Sequence, residues 1–310
     1  MLPQVFRTPL RAVWEVANKT TETLWWPSRG DGKKTVLFFI PGNPGLAEYY
    51  TQFLQDIHEH SAPSLEICAV SHLGHSVGSH TVASSRDAVY TLQEQIEHKI
   101  DCFDQLRKDN PGGTQFILMG HSVGAYICAE VLKQRQQHDI VRLIALFPTL
   151  REIALTPNGV FISRLLSKVP LSVLSGTAHM LSYISSPIRE YVTGMVTGQE
   201  GHCLKVTAHQ LLHQSVVKNA FAMANNEMAS IKELDHDFYT THVDKMIVYF
   251  SKVDKWAPLD HYEYMKEKFP NAHIHLCEED LPHAFILDSK HSAYMAHKVR
   301  GWIEEILQKS

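Results

Sequence analysis

The sequence predicts an α/β fold, a mostly parallel sheet with helices on both faces. Three observations carry this. Apolar runs of strand length alternate with helix-length amphipathic segments along the chain. Most of those runs are continuously apolar, the pattern of strands covered on both sides. One strand–helix junction carries Gly120-His121-Ser122-Val123-Gly124, a Gly-x-Ser-x-Gly pattern that turns a strand sharply into a helix and lifts a serine hydroxyl above the sheet.

Taken in order, residues 11–17 alternate like a first strand. That pattern argues against a transit peptide despite Arg7 and Arg11, and no secretory signal opens the chain. Strands are then expected at Thr35–Ile40, Leu65–Val70, 114–119, 141–147, 245–250 and 273–277. Helical patterns fall at 46–60, 86–108, 123–136, 258–269 and Ser289–Gln308. Such alternation implies right-handed crossovers.

Between residues 147 and 245 the rhythm stops, and the chain from 156 to 237 reads mostly helical. The predicted organisation is a core of residues 1–149 and 243–310, with 150–242 inserted in the same domain as a helical cap or a lipid-surface segment. No Asp, Glu, Lys or Arg occurs from 169 to 188, where Pro170, Gly176 and Pro187 are expected to break the chain into short helices. Leu174 and Leu181 are expected on a face that buries itself in a lipid surface. An internal lid packed on the sheet is weighed equally.

Composition narrows the function. A chain of 310 residues is one or two domains, and α/β folds of this size often stay single. A net charge of −4 with no basic block gives nucleic-acid binding no electrostatic support. Five scattered cysteines without a C-x-x-C pair read as reduced, cytosol-facing thiols. No stretch reads as a membrane span. His209 and His213 have the spacing of a zinc-protease helix but lack its glutamate, and no Gly-Lys-Ser/Thr follows the loop at Pro41. Neither a metal nor a cofactor is expected.

Gly-His-Ser-Val-Gly occurs twice, at residues 74–78 and 120–124. Only the second copy lies between an apolar strand and an amphipathic helix. The first runs into 79–85, which has no apolar face and reads as a loop. Ser122 is therefore the expected nucleophile and Ser76 a turn serine.

A serine hydroxyl needs a base within reach and a third group to orient that base. In the α/β-hydrolase plan these follow in the order Ser, acid, His. Asp254 lies just past the strand 245–250, and His283 lies in the loop after 273–277. Both leave the edge of the sheet where such folds place their sites. Asp280 and Asp260 compete for the acid role, while Asp244 precedes its strand. The chain has twenty histidines, so position selects His283, not its residue type. Oxyanion donors are expected from the backbone N–H of Val123 and from Gly42 and Asn43, in the Pro41-Gly42-Asn43-Pro44-Gly45 loop after a central strand.

That loop with Tyr49-Tyr50, together with Ser71-His72-Leu73-Gly74-His75, Gln95-Ile96-Glu97-His98-Lys99, Leu118 to Gly124, Leu146-Phe147-Pro148-Thr149, Thr156-Pro157-Asn158-Gly159, Asp254 with Trp256, and Pro282-His283-Ala284-Phe285, resembles the lipid droplet-associated hydrolase family. The resemblance runs from about Val36 to the C-terminus. It implies an α/β-hydrolase fold, a serine esterase-type site with the triad on Ser122, Asp254 and His283, and residence on lipid droplets and the endoplasmic reticulum. Ser251 stands where many hydrolases carry Gly. The reading is a serine ester hydrolase acting on a lipid ester, with sterol esters among its candidates. The alternative is a droplet-surface binding or clustering protein with slow or vestigial hydrolase activity.

Overall fold

The computed structural model describes residues 9–30, 33–76, 88–137 and 139–308. Its sheet has eight strands: β1 (Leu10–Val16), β2 (Lys19–Trp26), β3 (Thr35–Ile40), β4 (Leu65–Val70), β5 (Gln115–His121), β6 (Ile140–Leu146), β7 (Met246–Phe250) and β8 (His273–Leu276). They run in the order β1-β2-β4-β3-β5-β6-β7-β8. β2 is antiparallel to both its neighbours, and the strands from β4 to β8 are all parallel.

The predicted strands are present within a residue or two, but β2 was not anticipated. It pairs with β1 through a two-residue turn in which Ala17 and Asn18 both take positive φ, the geometry that matches the twist of a hairpin. Its inward residues begin with Thr21 and Thr23. Threonine suits a strand yet is silent in a scan for apolar runs. The buried Thr21 hydroxyl donates to the Ser71 carbonyl at 2.9 Å.

β3, β4 and β7 are buried at every position, as continuously apolar strands require. Successive residues point to opposite faces, and this builds two cores. Phe38 and Ile40 face α2 (Leu92–Asp109) and α3 (Val123–Gln134). Leu37 and Phe39 face α1 (Thr51–His60) and the last helix, Ser289–Gln308. α2 starts later than the expected residue 86, because Thr91 and Glu94 form a reciprocal capping box that fixes its first turn. Residues 86 and 87, and the loop expected at 79–85, lie outside the described residues.

The insertion adds no strand to the sheet. It forms α4 (Pro157–Lys168), α5 (Leu171–Ser182), α6 (Ser186–Thr197), α7 (Gly201–Val206), a π-helical turn (Thr207–Leu211), α8 (Gln214–Ser230) and α9 (His236–His242). Pro170 caps α5 and Pro187 sits in the first turn of α6, as breakers should. Gly176 does not break anything. It lies in the middle of α5, where a lone glycine costs a helix only about 1 kcal/mol. Beyond the insertion come α10 (Leu259–Lys268) and α11 (Ser289–Gln308).

The insertion is latched to the core at Glu48, whose side chain is buried. Its carboxylate pairs with Arg11 of β1, accepts from Thr51 at 2.8 Å and lies 3.5 Å from His202 of α7. Burial alone would raise this carboxyl, but His202, Arg11 and Thr51 outweigh it and hold it at about 2. The sign of the linkage follows. Glu48 contributes stability that is complete above its ordinary value of 4.5 and lost as pH falls through about 2. His202 is raised above 6.5 by Glu48, so its share is complete below 6.5 and fades as pH rises through the folded value. Chemical denaturation of wild type and Glu48→Gln should therefore differ most between pH 4.5 and 6.5, and the difference should shrink in more acidic buffer. A difference independent of pH would contradict the latch.

Candidate active site

β5 ends in a turn whose backbone leaves little choice of residue. Ser122 sits at φ 56° and ψ −127°, between the strand and the first turn of α3, a conformation that costs a non-glycine residue about 1–3 kcal/mol. A Cβ on Gly120 would stand 2.3 Å from the Gly124 carbonyl oxygen, and one on Gly124 would stand 2.2 Å from the Ile40 oxygen. Both glycines thus permit close approaches between backbones. The Ser122 amide donates to the Leu146 carbonyl at 3.0 Å, which ties the turn to β6.

Three loops from one edge of the sheet meet over this turn. The Ser122 hydroxyl donates to His283 Nε2 at 2.8 Å, and His283 Nδ1–H donates to Asp254 Oδ2 at 2.6 Å. Asp254 Oδ1 accepts from the backbone amides of Trp256 and Ala257 at 2.7 and 3.0 Å. Burial would raise the Asp254 carboxyl, but the neighbouring His283 and these hydrogen bonds hold it below its ordinary value. It therefore stays charged at neutral pH and fixes the imidazole with Nε2 toward the serine. Ser251, in the place where a glycine is common, donates from its hydroxyl to the Leu281 carbonyl at 2.5 Å. The acid turn and the histidine loop are thereby bound together.

The expected oxyanion donors separate. Val123 is the first residue of α3, where an amide has no partner inside the helix. Asn43 has its side chain anchored on α8, with Nδ2 donating to the Ala220 carbonyl at 2.9 Å and to Glu227 at 2.8 Å. The Gly42 amide instead donates to the Tyr50 hydroxyl at 3.2 Å. Gly42 serves the site by its lack of a side chain, since a Cβ there would press on Ser122 Cβ at 3.0 Å.

Tyr50 and His121 support the site through buried hydrogen bonds that the sequence reading does not assign. His121 is buried, which together with nearby His283 pushes it down to about 3, so the ring is neutral. Its Nε2–H must donate, because its partner at 2.9 Å is the His283 carbonyl. Nδ1 then accepts from the Tyr50 hydroxyl at 2.7 Å, which in turn accepts from Gly42. A directed chain of hydrogen bonds thus joins the loop after β3 to the loop that carries His283. The signal was present in the variable position of the pentapeptide and in the Tyr49-Tyr50 pair.

The other pentapeptide copy braces this site from behind. Ser76 accepts the Glu22 amide at 3.0 Å. His75 Nδ1 accepts the Gly45 amide at 2.7 Å, while Gly74, at φ 78°, leaves room for Asn219 of α8. Val77 and Gly78 lie outside the described residues. His209, singled out by its metal-like spacing, contacts Arg189 through Nδ1 and Glu190 through Nε2, at 2.8 and 2.6 Å.

A cavity of about 430 Å³ opens over Ser122 and His283. Its wall is mostly aliphatic and comes from the insertion: Ile162 of α4, Leu174 and Leu181 of α5, Leu211 and Leu212 at the π-helical turn, and Val217 and Phe221 of α8, with Trp256 from the acid loop. Leu174 and Leu181 therefore face the cavity, which corrects the expectation that they lie on a lipid surface. The large apolar residues of α5 that point outward are Val173 and Met180.

A family model described as lipid-droplet associated hydrolase matches residues 33–286. The chain belongs to that family. It is 31% identical over 281 residues to the lipid droplet-associated hydrolase of Mus musculus, covering 87% of this chain and 85% of the relative. Against the Gallus gallus protein of the same name the identity is 30% over 288 residues, covering 89% and 86%. Among solved structures it is similar to a haloalkane dehalogenase from Agrobacterium tumefaciens, with a TM-score of 0.68 at 16% identity, covering 97% of this chain and 98% of that one. It is also similar to an esterase from Thermogutta terrifontis, with a TM-score of 0.58 at 14% identity, covering 96% and 99%. These likenesses show the α/β-hydrolase fold, and family membership places the chain among the hydrolases.

Tyr50→Phe removes one hydroxyl but leaves the Gly42 amide and His121 Nδ1 buried without it. Unpaired buried groups of this kind cost about 1–3 kcal/mol. Urea denaturation should show a loss of that size, and reaction of Ser122 with a fluorophosphonate should slow. Wild-type values for both would contradict the chain.

Proposed function

We propose that this hydrolase is a serine esterase that cleaves lipid esters, sterol esters among them, at the surface of lipid droplets and the cytosolic face of the endoplasmic reticulum. The observation that carries the reading is the Ser122–His283–Asp254 chain of hydrogen bonds opening into an aliphatic cavity. Ser122 Oγ attacks the ester carbonyl carbon as its proton passes to His283 Nε2. Asp254 holds the opposite side of the ring and stabilises its charged form. The amides of Val123 and Asn43 receive the oxyanion. The C–O bond to the alcohol breaks, and the alcohol leaves with the proton from His283. Water, deprotonated by the same histidine, then attacks the acyl-enzyme and releases the acid.

Lipid-surface docking is supported by the outer face of the insertion. Ile188, Tyr191, Val192, Met195 and Val196 of α6 are all exposed. Their spacing forms one helical stripe, turned to solvent rather than to the core. Soluble monomers rarely leave large apolar patches uncovered, and binding of such a helix to a lipid surface scales with the apolar area it buries. Among the described residues no helix is long and apolar enough to cross a membrane.

Ser122→Ala should abolish labelling by a fluorophosphonate probe and Ser76→Ala should leave it nearly intact. Labelling that persists in the first and is lost in the second would overturn the assignment. The two faces of the insertion should separate as well. Tyr191→Asp with Met195→Asp should weaken flotation with artificial droplets while sparing labelling. Leu174→Asp with Leu181→Asp should depress labelling, since those side chains line the cavity. Droplet binding unchanged in the α6 pair would reject that face as the anchor.

A further inference from the structure

Glu227 is out of place chemically. It lines a mostly aliphatic cavity and is only 4% exposed. A carboxyl in such a setting is costly unless it is hydrogen-bonded, and a leucine would fill the same space at lower cost. Its partner is Asn43, whose Nδ2 donates to Glu227 Oε1 at 2.8 Å and to the Ala220 carbonyl at 2.9 Å. Both hydrogens of that amide are thus directed at α8. In the loop of residues 41–45 every other residue is proline or glycine, so Asn43 owns the one side chain able to hydrogen-bond. The loop is fixed from the core side by Tyr50 and His75 through its backbone. Glu227 and Ala220 fix it from the cap side.

We propose that Glu227 is a positioning residue that acts through the Asn43 side chain, holding the Asn43 backbone N–H toward the oxyanion and making cap helix α8 part of the apparatus that stabilises the transition state. The inference rests on the serine-esterase reading above. Donors for an oxyanion must be aimed before the charge forms, and a short loop of prolines and glycines has no other side chain with which to resist displacement.

The ionisation of Glu227 supplies a readout that a purely structural residue lacks. Burial raises it, the Asn43 hydrogen bond only partly offsets this, and the result is about 8. At neutral pH the group is an uncharged acid and accepts from Asn43 without bringing negative charge near the oxyanion. His283 is the other titratable side chain of the cavity with Ser122. α4, α5 and the π-helical turn present Ile162, Leu174 and Leu211, none of which titrates. Above about pH 8 a carboxylate would form there and oppose the developing negative charge.

The test is steady-state hydrolysis of a short-chain p-nitrophenyl ester between pH 6 and 10, with fluorophosphonate labelling of Ser122 in parallel. The variants are Glu227→Gln, Glu227→Leu, Asn43→Ala and the Asn43→Ala/Glu227→Leu pair, each checked by thermal melting. Glu227→Leu should lower kcat about tenfold or more with KM changed less than about threefold, the split expected for a transition-state interaction. The double variant should be no slower than Asn43→Ala, since two changes along one path do not add. Glu227→Gln keeps the acceptor, so it should recover most of the rate lost in Glu227→Leu, and its rate should not fall above pH 8 where the wild-type rate does. Wild-type kcat in a folded Glu227→Leu, additive losses in the pair, or an alkaline fall retained in Glu227→Gln would each overturn the proposal. Should Glu227→Leu melt early, the alkaline limb of Glu227→Gln decides. A wild-type protein that is not labelled at Ser122 would instead remove the serine-esterase reading, and this inference with it.

Discussion

The strained turn at Ser122 is the constraint on which the site is built. A side chain at φ 56° persists only when its surroundings over-determine it. Here they do so by contact of bare backbone on bare backbone: Gly120 against Gly124, and Gly124 against the end of β3. That second contact matters most, because β3 feeds the Pro41–Gly45 loop. Ser122 and the loop that faces it are therefore set by one close approach of two backbone segments. Motion of the Ser122 turn would also have to break its hydrogen bond to Leu146 in the neighbouring strand.

Around the turn, polar groups that burial would otherwise penalise are paired in ways that bind separate loops. His121 ties the His283 loop to Tyr50, and Tyr50 ties both to Gly42. Ser251 ties the acid turn to the histidine loop. His75 ties the strand-end loop after β4 to Gly45. Most of these bonds join elements well separated in sequence, so the Ser122–His283–Asp254 distances follow from the sheet edge as a whole. The insertion serves two interfaces with the same helices. On α5, Leu174 and Leu181 look into the cavity while Val173 and Met180 look out.

Much of this was legible in the sequence, and the exceptions have physical causes. The parallel strands were readable because strands buried on both faces must be apolar throughout, as Phe38-Phe39-Ile40 is. That Ser122, Asp254 and His283 would meet was readable because each follows a strand, and chain order ranks them above the many other histidines and aspartates. β2 was hidden because its inward positions include threonines, and the hydrogen bond that satisfies one of them, Thr21 to Ser71, is created only by the fold. The direction of Leu174 and Leu181 was hidden for a related reason. The apolar residues of α5 form one broad arc that takes in both Leu174 with Leu181 and Val173 with Met180, so periodicity cannot tell a lid face from a lipid face. Tyr50, His121 and Glu227 have partners that are distant in sequence, so a local pattern such as the Tyr49-Tyr50 pair marks a residue without revealing what it binds.

Passage of an acyl group through Ser122 is tested most directly by quenching the protein in acid during turnover of a lipid ester and mapping the modified peptide by mass spectrometry. An acyl ester on Ser122 should form and decay with turnover. It should accumulate when His283 is replaced only if the substrate carries a leaving group needing no proton. Turnover without an adduct on Ser122, or an adduct mapped to Ser76, would contradict the proposed chemistry.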